Sequence, residues 1–222
     1  MTILHDKQQD LRPNRINMWE SIYLQCHYPL NLDGVSSVID FGSGRNLSKA
    51  IVEHFGIKYT AVDVSDVYGP DILSEIRYDI DGLDKADFVG CYQCLEHNHY
   101  NKFIDLVSVL ESYSNKYVCL ALPYNGAYFS LNLSLRLPKI SKNFSFVKSF
   151  CGLAARDINV NKLEQTGDKY RHHYWELGRP SFKVKKVLSD VEENTCLKFI
   201  EQRHNRIYPH HIFLLFEKKS AS

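Results

Sequence analysis

The stretch that most constrains the fold is V-I-D-F-G-S-G-R-N, Val38 to Asn46. An apolar run, V-S-S-V-I-D-F, ends beside an acid, two glycines follow at once, and N-L-S-K-A-I-V-E-H-F then carries a helical pattern. That is a buried strand, a tight turn and a helix start in one segment. In an open α/β sheet, ligands bind outside the carboxyl ends of the strands. Closely spaced glycines let the backbone approach a ligand, and the following helix points its positive end at the same place. The turn is therefore the first candidate for a nucleotide-like site.

The chain repeats this alternation. I-K-Y-T-A-V-D-V-S (57–65) reads as a second strand ending in Asp63, and V-Y-G-P-D-I-L (67–73) as a turn with a short third strand. A-D-F-V-G-C-Y-Q-C-L-E-H (86–97) begins as a fourth strand, Tyr100 to Tyr113 puts Phe103, Leu106, Val107 and Leu110 on one helical face, and Y-V-C-L-A-L-P (117–123) is a fifth strand. Apolar strands alternating with helices predict a mostly parallel sheet covered on both faces. Before the first strand, Arg12 to about His27 has a helical stripe of Ile16, Trp19, Ile22, Tyr23 and Cys26, and Pro29 to Gly34 reads as a turn. That helix packs across the sheet or forms a flap over the glycine turn, with Arg12, Arg15 or Trp19 near a substrate. Beyond Pro123 no long period is evident, and 124–174 reads as a lid of one or two short helices. A last helix is expected from Trp175 or Gly178 to about Val191, then a closing antiparallel strand pair at 196–203 and 211–218.

At 222 residues the expectation is one domain over 1–222, with an N-terminal helix or flap in 1–34 and a lid insertion in 124–174. Lys plus Arg is 27 and Asp plus Glu 26, a net charge of +1, so no global basic field marks nucleic acid as an obligatory partner. No segment approaches the ~18 consecutive apolar residues of a membrane span, and M-T-I-L-H-D-K-Q-Q-D has no secretory h-region. With six scattered cysteines in mostly apolar runs, the reading is a cytoplasmic protein with reduced thiols.

Asp63 lies 23 residues after Asp40, at the end of the next strand, where an acid can accept hydrogen bonds from both ribose hydroxyls. This suits a nicotinamide site as well as an S-adenosylmethionine site. The dinucleotide fingerprint G-x-G-x-x-G requires a glycine at position 47, which is Leu47. The sequence instead has acid-x-Gly-x-Gly-x-Asn: Asp40, Gly42, Gly44 and Asn46. An acid there suits an ammonium and a sulfonium and is awkward beside a pyrophosphate.

This pattern resembles the first motif of class I S-adenosylmethionine-dependent methyltransferases, with Asn46 replacing the last glycine; asparagine tolerates positive φ better than most residues. The fourth-strand stretch ending Leu95-Glu96-His97 resembles the small-molecule, methyltransferase type 11-like branch, and Y-V-C-L-A-L-P-Y-N resembles that family's fifth strand and exit. The resemblance covers 35–123 by motif and 175–218 by pattern. It implies a Rossmann-like, mostly parallel seven-stranded sheet with helices on both faces, an antiparallel final strand and the lid after the fifth strand. It also implies S-adenosylmethionine as cofactor. Asp40, Phe41, Gly42, Ser43 and Gly44 would hold its methionine end, Asp63 its ribose, and Val64 would pack on the adenine. Asp71 and Asp79 compete for the adenine amine, with Asp79 and Ile80 favoured. Gln93, Cys94 and Leu95 would line its open side.

Cys91, Cys94, His97 and His99 spell C-x-x-C-x-x-H-x-H, which invites zinc. The cysteines, an odd step apart on a strand, tend to opposite faces, and no second pair stands at zinc-finger spacing. No metal is expected. Methyl transfer to a hydroxyl benefits from a general base, most often histidine. His97, just past the fourth strand, is the first candidate. His172 and His173, in R-H-H-Y-W-E (171–176), are the second, not separable from each other. The lid mixes Lys139, Lys142, Lys148 and Arg156 with Tyr124, Tyr128, Phe129, Phe144, Phe146 and Phe150, a composition able to grip a sugar or another small molecule. The expected function is O-methylation of a small-molecule or saccharide-like acceptor by a monomer or homodimer. The alternatives are a non-catalytic S-adenosylmethionine-binding protein and a nicotinamide-dependent oxidoreductase.

Overall fold

The first strand, β1 (Ser37–Phe41), is an interior strand, third of seven, in the main sheet. It pairs in parallel with β2 (Lys58–Asp63) on one side and β4 (Ala86–Tyr92) on the other. β3 (Ile72–Leu73) extends the β2 edge, and β5 (Ser114–Pro123) runs parallel to β4. On the far side β9 (His211–Lys218) inserts antiparallel between β5 and β8 (Leu197–His204), giving the order β3-β2-β1-β4-β5-β9-β8. The six-stranded dinucleotide fold runs 3-2-1-4-5-6; the inserted antiparallel strand is a different topology. The computed structural model describes residues 16–137, 142–152, 156–159, 173–206 and 209–219.

Alternate residues of the central strands supply two apolar layers, which is why these strands are continuously apolar. Ile39, Phe41, Val89 and Leu120 join α3 (Phe103–Tyr113) and α4 (Val184–Asn194) on one face. Val38, Tyr59, Phe88, Cys119 and Phe213 join α1 (Ile16–Asn31) and α2 (Leu47–His54) on the other. Among the described residues no helix is long and apolar enough to cross a membrane.

Four expectations need correction. The first helix extends to Asn31 through Pro29, so the turn predicted at Pro29 begins at Leu32; positions 12–15 lie outside the described residues. Its buried arc is also rotated: Trp19 and Tyr23 are more than half exposed, whereas Ser21, Ile22, Leu24, Cys26 and Tyr28 are buried. The cause is polar. Ser21 Oγ hydrogen-bonds with His211 Nδ1 at 2.8 Å and accepts from Asn205 Nδ2 at 2.8 Å, turning a serine inward.

The third correction is the lid. Among the described residues it carries, where short helices were expected, an antiparallel hairpin, β6 (Tyr128–Leu137) with β7 (Lys142–Cys151). Its sequence alternates Phe129, Leu131, Leu133, Leu135 and Leu137 with Ser130, Asn132, Ser134 and Arg136, a period of two.

The fourth is the last helix, which starts at Val184. Residues 175–178 instead run beside the end of β5: Leu177 N–H donates to Pro123 O at 2.8 Å, and Asn125 N–H to Leu177 O at 2.9 Å. Gly178, at φ 82°, then turns the chain where an added Cβ would stand 2.7 Å from Gly126 N. Gly178→Ala combines a left-handed penalty with a backbone clash. It is expected to cost about 2–4 kcal/mol and lower Tm by roughly 5–15 °C in thermal unfolding.

Candidate functional site

The glycine turn is held by the neighbouring strand. Gly42 N–H donates to Val62 O at 2.8 Å and Gly44 N–H to Asp63 Oδ2 at 2.9 Å, while Asp63 Oδ1 accepts from Ser65 N–H at 2.9 Å. Gly42, Gly44 and Asn46 all have positive φ (74°, 52° and 55°). A Cβ on Gly44 would meet nothing within 4 Å, so the backbone there borders open space. Asn46 caps α2 without a side-chain bond to the helix; its Nδ2 reaches Tyr68 O at 3.1 Å.

Two clefts meet at this turn and share Gly42 and Gln93. One, of about 440 Å³, lies past the ends of β1, β2 and β4, between Asp63 and Val64 on one side and Gln93, Cys94 and His97 on the other. The other, of about 380 Å³, lies between the turn and α1, with Ser21, Gln25, Tyr92 and His211 on its walls.

The second cleft has a chemical signature. Asp40 Oδ1, Ser43 Oγ, Asn46 Oδ1 and Gln93 Nε2 are all buried with no hydrogen-bond partner among the described residues, and all four residues line it. Such groups are costly unless a ligand satisfies them. Two are oxygen acceptors, one is an amide donor and one a hydroxyl. That is the complement of an α-amino acid: acceptors for an ammonium, donors for a carboxylate. Asp40 is nearly fully buried, and its Oδ2 accepts from Tyr59 Oη at 2.6 Å. Burial pushes its carboxyl up to about 7 against the pull of Tyr59, and the Asp63 charge adds to the rise.

Other expected residues fall elsewhere. Phe41 lines the larger cleft, but Leu95 is buried in the core and lines neither cleft. Asp79 is exposed and Ile80 is buried, its N–H on Tyr113 Oη at 2.8 Å; neither borders either of these two clefts. Asp71 pairs with Lys49 at 2.5 Å and accepts from Ala61 N–H, so it pins β2. Besides Asp63, the larger cleft is lined by the acid Glu75, with Ser74 and Ile76, just past β3. Sequence reasoning, weighing Asp71 against Asp79 near the third strand, passed over it.

Cys91 and Cys94 also differ from expectation. Their thiols hydrogen-bond to each other, and this together with burial raises the Cys91 pKa. Strand alternation ends at Tyr92, and Gln93 at φ 54° swings Cys94 back over Cys91. No group of metal-ligating atoms among the described residues includes a cysteine.

At the rim of the larger cleft stands a histidine cluster. The rings of His97 and His173 are 5.2 Å apart, and His210 stacks on His173 at 6.1 Å. His173 Nδ1 hydrogen-bonds Glu176 Oε1 at 3.0 Å, and its Nε2 is 3.9 Å from Glu96 Oε1. Burial opposes protonation of His173, but the Glu176 hydrogen bond and both carboxylates raise its pKa. Burial works against ionised Glu176 too, yet bonds from His173, Asn125 and Arg179 hold it at about 2. Glu96 is fully buried, and burial raises it to about 7. His99 packs on Tyr174 at 4.2 Å. His172 lies outside the described residues.

No family model matches the chain, and no curated protein matches it. Solved structures do. A 1,6-didemethyltoxoflavin-N1-methyltransferase from Burkholderia thailandensis, with 1,6-didemethyltoxoflavin and S-adenosylhomocysteine bound, matches with a TM-score of 0.58 at 13% identity, over 96% of this chain and 83% of that one. Magnesium protoporphyrin IX methyltransferase from Synechocystis, with S-adenosylhomocysteine, matches at 0.58 and 13%, over 99% and 90%. A sugar N-methyltransferase from Streptoalloteichus matches at 0.58 and 11%, over 99% and 94%. The chain has the fold of the class I S-adenosylmethionine-dependent methyltransferases.

Proposed function

We propose that this chain is an S-adenosylmethionine-dependent methyltransferase acting on oxygen of a small-molecule or saccharide-like acceptor. The observation that carries the cofactor is the set of four polar atoms from Asp40, Ser43, Asn46 and Gln93 beside the glycine turn, without partners among the described residues. They fit the amino-acid end of the cofactor. The larger cleft fits its adenosine end, with Asp63 toward the ribose hydroxyls, Val64 and Ile76 against the base, and Glu75 toward the base's amine. Bound there, the cofactor supplies a sulfonium methyl group and its own leaving group.

The protein's part is to position the acceptor and remove its proton. His97 lines the same cleft, and His173 stands behind it, oriented by Glu176. This cluster is the reading's proton-accepting region, with His97 the candidate base, His173 next, and His172 unplaced. The segment 124–174 is assigned to the acceptor side as a lid, its hairpin presenting exposed Phe129, Leu131 and Leu133. Odd positions on a strand share a face, so these three form one apolar strip.

Calorimetric titration of the intact chain with S-adenosylhomocysteine tests the reading. The expected result is a single site with a Kd of roughly 1–100 μM and no heat with reduced nicotinamide dinucleotide. Absence of binding to S-adenosylhomocysteine overturns it. Binding without turnover, across hydroxylated acceptors, would leave a non-catalytic cofactor-binding protein.

A further inference from the structure

The Glu96 carboxylate presents a problem that the methyl-transfer reading leaves unsolved. It is fully buried, and beyond its own backbone N–H neither oxygen has a hydrogen-bond partner among the described residues. A buried carboxyl without partners is destabilising, and such groups are normally paired or bound to a metal. Glu96 Oε1 faces His173 Nε2 at 3.9 Å, too far for a hydrogen bond. Two ligand atoms each about 2.1 Å from one ion stand roughly 3.0–3.4 Å apart at octahedral or tetrahedral angles, so a closure of about 0.5–0.9 Å seats both on one metal.

His173 is already prepared as a ligand. Its Nδ1 lies 3.0 Å from a Glu176 oxygen, which as a carboxylate accepts the hydrogen and leaves Nε2 with its lone pair toward Glu96. A carboxylate behind the imidazole that fixes its tautomer is a common support for metal-bound histidine. His97 completes the group: ligand atoms of Glu96, His97 and His173 lie within 4.8 Å of one another. The neighbouring set of His173, Glu176 and His210 is also compact. Its carboxylate, however, is occupied by Asn125 Nδ2 at 2.8 Å and by Arg179 Nε and Nη2 at 2.8 and 2.5 Å. Glu176 therefore supports, and Glu96 binds.

We infer that Glu96, His97 and His173 form a binding site for one divalent transition-metal ion at the wall of the larger cleft, and that this ion holds the acceptor hydroxyl during methyl transfer. Two imidazoles and a carboxylate favour Mn²⁺, Fe²⁺, Co²⁺, Ni²⁺ or Zn²⁺ over Mg²⁺, and leave positions open. The role of the ion rests on the methyl-transfer reading. A bound hydroxyl is acidified and releases its proton to solvent. The oxygen then forms its bond to the methyl carbon as the carbon–sulfur bond breaks, the electron pair remaining on a neutral sulfur. His97 then acts as a ligand, in place of a free base.

The test is titration of chelator-treated protein with Co²⁺, followed by calorimetry and by the visible absorption of the bound ion. One equivalent is expected to bind. Glu96→Gln, which keeps the volume of the buried side chain, and His97→Ala at the cleft wall should each weaken binding at least about tenfold. Circular dichroism reports whether each variant folds; if Glu96→Gln does not, His97→Ala decides. No Co²⁺ binding by the wild type, or binding retained in a folded variant, overturns the site. S-adenosylhomocysteine is titrated separately. A chain that binds it but no Co²⁺ refutes the metal alone, and one that binds Co²⁺ but no S-adenosylhomocysteine refutes the methyl-transfer reading alone.

Discussion

Asp63→Ala is expected to weaken S-adenosylhomocysteine binding by at least about 100-fold. Asp63 has two tasks in the structure. Its Oδ2 fixes the Gly44 N–H and its Oδ1 fixes Ser65 N–H, so it ties the glycine turn to the end of β2. Its carboxylate also borders the larger cleft, where ribose hydroxyls would donate to the same oxygens. Hydrogen bonds to a charged acceptor are worth about 1.5–3 kcal/mol each. Losing a pair to the ribose, together with the anchor of Gly44, removes roughly 3–5 kcal/mol, about two to three and a half decades in Kd. Asp63→Asn retains one acceptor and should fall between. Titration calorimetry with parallel thermal unfolding separates the tasks. If Tm falls while affinity stays within tenfold of wild type, Asp63 is only a loop cap.

The sequence made this part of the site readable because its determinants are local. Val38 to Asn46 states a strand, a turn and a helix start in nine consecutive residues, and the structure has β1, three positive φ values and α2 there. Asp63 was readable for the same reason, as a strand-end acid at the spacing of a parallel unit. The features that escaped depend on distant partners. Ser21 is buried because His211 and Asn205 meet it, 190 and 184 positions away, so no periodicity of apolar residues could place that face of α1 inward. Glu96 stands in the sequence as the middle of a Leu-Glu-His ending; that its carboxyl is buried with no partner beyond its own backbone N–H among the described residues follows only from the packing of 173–176 against it. Tyr174 N–H donates to Glu96 O at 2.9 Å, the bond that brings the two segments together.

The hairpin is a different case. Its alternation from Phe129 to Leu137 is present in the sequence, but the serines, asparagines and basic residues around it mask the period of two. Glu75 escaped because acids are common around β3. Asp71 stands just before the strand, Glu75 and Asp79 after it, and only the path of the chain decides that the middle one borders the cleft.

Asp40→Asn is expected to have opposite effects on the free and the bound protein. Around Asp40 stand Tyr59 and Asp63 on β2, Cys26 on α1, Cys91 and Tyr92 on β4 and Cys119 on β5; each is neutral or negative. Burial among them raises the carboxyl from 3.8 to about 7. The folded chain therefore holds this proton more tightly than the unfolded chain. Below pH 4 the carboxyl costs nothing; as pH rises through 7 the folded state loses stability, on the order of 4 kcal/mol once ionisation is complete. Asparagine keeps an acceptor for Tyr59 and carries no charge. The Tm of unliganded Asp40→Asn should exceed wild type at pH 8, and the gap should close toward pH 4. Cofactor binding runs the other way, because the ammonium needs the ionised carboxylate. Wild-type affinity for S-adenosylhomocysteine should fall as pH drops below 7, by up to about tenfold for each pH unit, whereas that of Asp40→Asn should be weaker and flat over the same interval. A variant whose Tm is lowered equally at pH 5 and pH 8 would mean that the wild-type carboxylate is already satisfied in the free protein. In that case the unpaired oxygen beside the glycine turn would no longer argue for a cationic ligand.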